Sequence, residues 1–73
     1  MRPDTIIRKR LSGLSEVNEF AQTIVDVGFE LMGNGTLDSD ELVWQLAREL
    51  WKDKGESFER LVSDEYHKIL EAT

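Results

Sequence analysis

The chain has 73 residues, with nine basic and fifteen acidic side chains, a single histidine and no cysteine. That length makes one domain, and a domain this small buries only about 60% of its unfolded surface, which leaves a thin stability margin. Without cysteine there is no disulfide framework and no thiolate zinc site to brace the core, and His67 alone cannot complete the other common zinc patterns.

Charge divides along the chain. Residues 1–14 hold Arg2, Arg8, Lys9 and Arg10 against Asp4, a net +3, whereas residues 15–73 hold five basic and fourteen acidic groups, a net −9. The sequence therefore reads as a basic N-terminal arm or short helix (1–14) on a single acidic helical domain (15–73). Duplex binding draws most of its affinity from neutralised phosphates, so an acidic body disfavours it and leaves nucleic acid only to the basic arm. No apolar h-region opens the chain and no run approaches 18 apolar residues, so the expectation is a soluble, cytoplasmic protein with no membrane partner.

In the arm, Pro3 suits a first helical turn. Ile6, Ile7 and Leu11 can line a short helix before Ser12-Gly13 breaks it. Arg8-Lys9-Arg10 forms a solvated basic face by default, and on an acidic body it can also grip phosphate or an acidic partner surface.

A helix is predicted over about 15–32. Val17, Phe20, Ala21, Ile24, Val27, Gly28 and Leu31 recur at three- and four-residue spacing, with Glu16, Glu19, Thr23, Asp26 and Glu30 opposite. Ser15 is its expected cap. Val25, Phe29 and Met32 widen the apolar face, as in a helix that touches two neighbours.

Gly33 and Gly35 stop that helix, and the segment Gly-Asn-Gly-Thr-Leu-Asp, ending in Glu41, resembles the calcium loop of an EF-hand. With Glu30 at loop position 1, Asn34, Gly35, Thr36, Asp38 and Glu41 fall at positions 5, 6, 7, 9 and 12. Position 1, however, holds Glu30 where a short Asp belongs, and position 3 holds Met32, whose thioether does not serve a hard cation. No metal ligand set and no cofactor is read here. The expected role is architectural: left-handed backbone at Gly33 and Gly35, and a capping box between Asp38 and Glu41. Ser39 is similarly placed to the modified serine of carrier proteins, but Asp40 stands where their leucine should, so Ser39 reads as part of a helix N-cap.

The second helix is predicted over about 39–52, with an apolar stripe of Leu42, Val43, Leu46, Ala47 and Leu50, and Gly55 as its C-terminal cap behind Lys52 and Lys54. Trp44 and Trp51, seven residues apart, share one side of it, and Arg48 lies between them. Two readings stand side by side. Either the N-terminal segment folds over the tryptophans through Ile6, Ile7 and Leu11, or Trp44, Arg48 and Trp51 form a contact surface of the Trp- and Arg-rich kind that dominates binding hot spots.

The third helix is predicted over about 57–71 through Phe58, Leu61, Val62, Ile69 and Leu70, bent or split where Ser63-Asp64-Glu65 could restart it. His67 and Glu71 are spaced as a surface pair. No stretch alternates with period two, so the fold class is all-α, a small bundle of three helices plus the arm or short helix. One histidine, no cysteine and dispersed carboxylates give no nucleophile with a base and no opposed acids, so no enzyme is expected.

The candidate partner-binding residues are therefore Arg8, Lys9, Arg10, Trp44, Arg48 and Trp51, and the function expected is regulation by docking on a larger protein. The alternatives are a helix-turn-helix-like nucleic-acid module around the 33–38 turn and a degenerate EF-hand-like structural domain. Acids at the head of the would-be recognition helix, Asp40 and Glu41, have the wrong sign for DNA. In length, acidity and compactness the chain resembles the small phage-encoded regulators that bind host RNA polymerase. That resemblance implies a non-enzymatic protein of the host cytoplasm that inhibits transcription initiation and promotes antitermination. It rests on no motif and assigns no residue.

Overall fold

Four α-helices follow one another in the computed structural model, which describes residues 2–72: α1 (Pro3–Leu11), α2 (Val17–Gly33), α3 (Glu41–Trp51) and α4 (Glu56–Ala72), with a one-turn 3-10 helix at Lys52–Lys54 between the last two. No strand occurs among the described residues. The all-α expectation holds; of the two N-terminal options, arm or short helix, the short helix forms, so the architecture has four helices rather than a bundle of three.

The extra helix is α1. Pro3 occupies its first turn with Asp4, and Arg8, Lys9 and Arg10 fill its last turn, each charge placed favourably for the helix dipole. Ser12 closes it, with both its amide (2.9 Å) and its hydroxyl (2.6 Å) donating to the Arg8 carbonyl. Ile7 and Leu11, four residues apart, are fully buried. Burying each contributes about 1.5–3 kcal/mol, enough to fix a nine-residue helix that would not persist alone. The Cα radius of gyration is 11.5 Å, against about 11 Å for a close-packed chain of this length.

α2 starts at Val17 behind Glu16, whose side chain makes no capping bond, so Ser15 is not the cap. Its end is a Schellman motif. Gly35 (φ 81°) is the left-handed residue; its amide donates to the Met32 carbonyl (3.2 Å) and the Thr36 amide to the Leu31 carbonyl (2.9 Å). Gly33 has no positive φ; it is simply the last helical residue.

The expected capping box at α3 is absent as well. The N-cap is Asp40, without a side-chain capping bond, because its carboxylate accepts from the Tyr66 hydroxyl of α4 instead. Ser39 Oγ accepts the Glu41 amide at 3.4 Å. α4 runs unbroken through Ser63-Asp64-Glu65 for 17 residues, so the predicted split does not occur.

α2 and α4 form the most extensive helix pair, and α1 packs on both α3 and α2. Phe20 meets Phe58 near the starts of α2 and α4, while Gly28 and Tyr66 converge on Asp40 in their later halves. The two helices therefore run in the same direction, and α3, which joins the end of one toward the start of the other, runs antiparallel to both. The core draws Ile7 and Leu11 from α1, Phe20, Ile24, Val27 and Leu31 from α2, Val43, Leu46, Ala47 and Trp51 from α3, and Val62 from α4. On α3 the buried line is thus 43, 46, 47, 51. Leu50, placed on the stripe by the sequence, is exposed, as is Leu61 of α4.

Candidate functional site

The tryptophan-bearing flank of α3 packs against α4, and this decides between the two readings of Trp44 and Trp51. Trp51 is 2% exposed and sits in an aromatic cluster with Phe20 at 5.6 Å, Trp44 at 5.8 Å and Phe58 at 5.9 Å between ring centroids, all edge-on. Such pairs add about 0.5–1.5 kcal/mol each beyond area burial. Trp51 is a core residue and not an exposed contact. The rings around it come from α2, α4 and α3 itself, and not from the N-terminal segment. Its Nε1 is the one buried side-chain polar atom without a hydrogen-bond partner among the described residues.

Trp44 is half-buried, stacked edge-on against Tyr66 at 4.9 Å. It borders an open depression of about 420 Å³ shared with Asp40, Glu41, Gln45 and Arg48. Arg48 pairs with Glu59 of α4 (Nε to Oε1, 3.1 Å). On the far side of that ion pair lies a second open depression of about 370 Å³, between Arg48, Trp51, Lys52, Gly55 and Glu56. Tyr66 packs edge-on against Trp44 and donates its hydroxyl to the Asp40 carboxylate, and both of those partners line the first depression. Burial of the tyrosine, followed by its hydrogen bond to Asp40 and the charge of that carboxylate, pushes the phenol up to about 12 from its ordinary 10, with the Trp44 indole pulling the other way.

The basic triplet lies elsewhere. Arg8 pairs with Glu49 of α3 at 3.2 Å and Arg10 with Glu30 of α2 at 3.3 Å, both on the surface. Lys9 makes no ion pair among the described residues. Glu49 and Trp44 lie on opposite flanks of α3 by the 3.6-residue period, so Arg8 is kept apart from Trp44, although Glu49 shares the lining of the second depression with Arg48. The triplet is a helical face tied down at two of its three charges.

Around the EF-hand-like loop, the Asn34 Oδ1 accepts both the amide (3.0 Å) and the hydroxyl (2.5 Å) of Thr36, so a would-be ligand oxygen already serves the turn. No group of three or more metal-ligating side chains converges among the described residues. His67 does not pair with Glu71; its Nδ1 lies 2.8 Å from the Ser63 carbonyl one turn back. Among the described residues, no helix is long and apolar enough to cross a membrane.

Sequence reasoning did not find Tyr66 and Asp40, whose contact spans 26 positions and carries no short-range signature. It also assigned Phe29 and Leu61 to apolar faces, where both stand 53% exposed. Comparison with protein-family models, with curated protein sequences and with solved structures finds no match.

Proposed function

We propose that this is a non-enzymatic regulatory protein that acts by docking on a larger protein, and that host RNA polymerase, inhibited at initiation and driven toward antitermination, is the target. The observation that carries the docking reading is Trp44. A half-buried tryptophan beside an arginine, at the rim of an open depression on a protein of net charge −6, has the make-up of an interface anchor. Around it lie carboxylates and amides that suit a polar rim. The choice of polymerase rests on the likeness in size and acidity described above.

Titration of the purified protein into purified RNA polymerase, read by Trp fluorescence and by run-off transcription, tests both parts. Binding with loss of initiation is the expected result. Trp44→Phe, which keeps an aromatic ring against Tyr66 and Trp51, should stay folded and bind several-fold more weakly, as replacement of an anchor tryptophan does. A folded wild-type protein that leaves the polymerase unbound at micromolar concentration overturns the assignment.

A further inference from the structure

Val25 is only 5% exposed and yet stands outside the contiguous core, so its cover comes from side chains that are themselves at the surface. Its position identifies them. The Arg10–Glu30 pair places α1 on one flank of α2, and at about 100° per residue Val25 and Phe29 fall on the opposite flank, where α4 lies. On α4, Glu59 and Tyr66 face α3 through Arg48 and Trp44, and by the same period Leu61 and Glu65 lie on the flank turned to α2. Val25 is therefore the floor, and Phe29 and Leu61 the two walls, of an outward seam between α2 and α4. Each wall residue is 53% exposed. With Phe20 level with Phe58, the two walls are offset by about 9 Å along the parallel helices at 1.5 Å per residue. That offset approximates the spacing of anchors at i and i+7 on a docked helix.

We infer that this seam is a docking groove for a basic amphipathic helix presented by a protein partner. The rim supplies the sign: Asp26 on the α2 side and Asp64 on the α4 side border it, while Glu65 and Lys68 cancel one another at 3.4 Å. The same rim disfavours a second copy of this acidic chain. The groove is distinct from the Trp44 depression, which opens on the α3 flank of α4, and it shares with the proposed function only the premise that the partner is a protein.

The probe is a labelled synthetic peptide of about five helical turns with Leu at i, i+3, i+4 and i+7 and Lys elsewhere, alongside a scrambled peptide of the same composition. The full chain should bind the amphipathic peptide at least about tenfold more tightly than the scramble, with amide shifts centred on Val25, Phe29 and Leu61. Phe29→Ser and Leu61→Ser, singly and together, should weaken it about tenfold or more while the melting curve is kept. Equal affinity for the scramble, shifts confined to the Trp44 depression, or wild-type affinity in the folded double variant would overturn the groove, as would self-association in sedimentation that the double variant abolishes. Polymerase binding separates the two proposals. If wild type and double variant bind polymerase equally, the groove falls as its contact and the docking function stands; if peptide binds and polymerase does not, the groove stands and the polymerase assignment falls.

Discussion

Replacing Trp51 by alanine is the most direct test of how this small domain holds together. The ring is 2% exposed and touches three other aromatic rings edge-on within 6 Å. Truncation of a buried Trp costs about 3–5 kcal/mol, and three lost edge-on pairs place this site toward the upper end. Removing the indole also removes a buried N–H that has no partner, and so returns part of that loss. Against a total stability of about 4–11 kcal/mol for a chain of this length, the variant should melt about 12–40 °C lower or fail to fold at room temperature. Trp51→Phe separates the two contributions, because it keeps most of the ring contacts and drops the unpartnered donor; its melting temperature should lie well above that of the alanine variant. Thermal melts followed by far-ultraviolet circular dichroism read all three proteins. A Trp51→Ala protein that melts within a few degrees of wild type would refute the aromatic core and return Trp51 to the surface.

Four further outcomes follow from the same contacts. Alanine at Arg8, Lys9 and Arg10 removes two surface ion pairs, each worth about 0–1 kcal/mol, so the melting temperature should fall by only a few degrees, and less at high salt; unfolding would mean that the pairs, and not Ile7 and Leu11, seat α1. Gly33→Ala should stabilise by about 0.5–1 kcal/mol because Gly33 is helical, whereas Gly35→Ala should destabilise by about 1–2 kcal/mol through its φ of 81°, with no clash to confuse the result; equal effects in urea melts would contradict the Schellman ending. Tyr66 is held protonated in the folded state, so its contribution is intact below pH 10 and is lost as pH rises toward about 12; Tyr66→Phe should flatten that alkaline decline in a melting series, and an unchanged slope would dismiss the Tyr66–Asp40 contact. Millimolar calcium should leave the melting temperature in place, since a site filled at a hundredfold excess would add about 2.7 kcal/mol; an upward shift of many degrees would restore the EF-hand reading.

The helices were legible because each carries apolar residues at three- and four-residue spacing, and their exact faces were not because α3 carries too many of them. Leu42, Val43, Trp44, Leu46, Ala47, Leu50 and Trp51 occupy most of its circumference, so periodicity alone cannot decide whether Leu42 and Leu50 or Trp51 joins Val43, Leu46 and Ala47 on the buried line. The choice is made by what stands opposite: Phe20 and Phe58 pack on Trp51, while Leu50 remains exposed. The same argument explains why two tryptophans seven residues apart, almost superposed in azimuth, have different environments. One lies where α2 and α4 come together at their starts, the other beside Tyr66 at the edge of the α3/α4 contact.

Local chemistry misled at the caps for a related reason. Asp38, three residues before Glu41, satisfies the spacing of a capping box, yet the chain starts α3 at Glu41 behind Asp40. That register turns the Asp40 carboxylate toward the hydroxyl of Tyr66 on another helix, a contact that ties α3 to α4 where a local cap would have served α3 alone. A charged hydrogen bond of this kind contributes about 1.5–3 kcal/mol when partly buried, more than the ~1 kcal/mol of an ordinary cap, so the tertiary partner wins the carboxylate. It also fixes the position of Trp44, which stacks on the same tyrosine. The candidate contact residue is thereby held by a bond between positions 40 and 66, and its orientation could be read only after the helices had been packed.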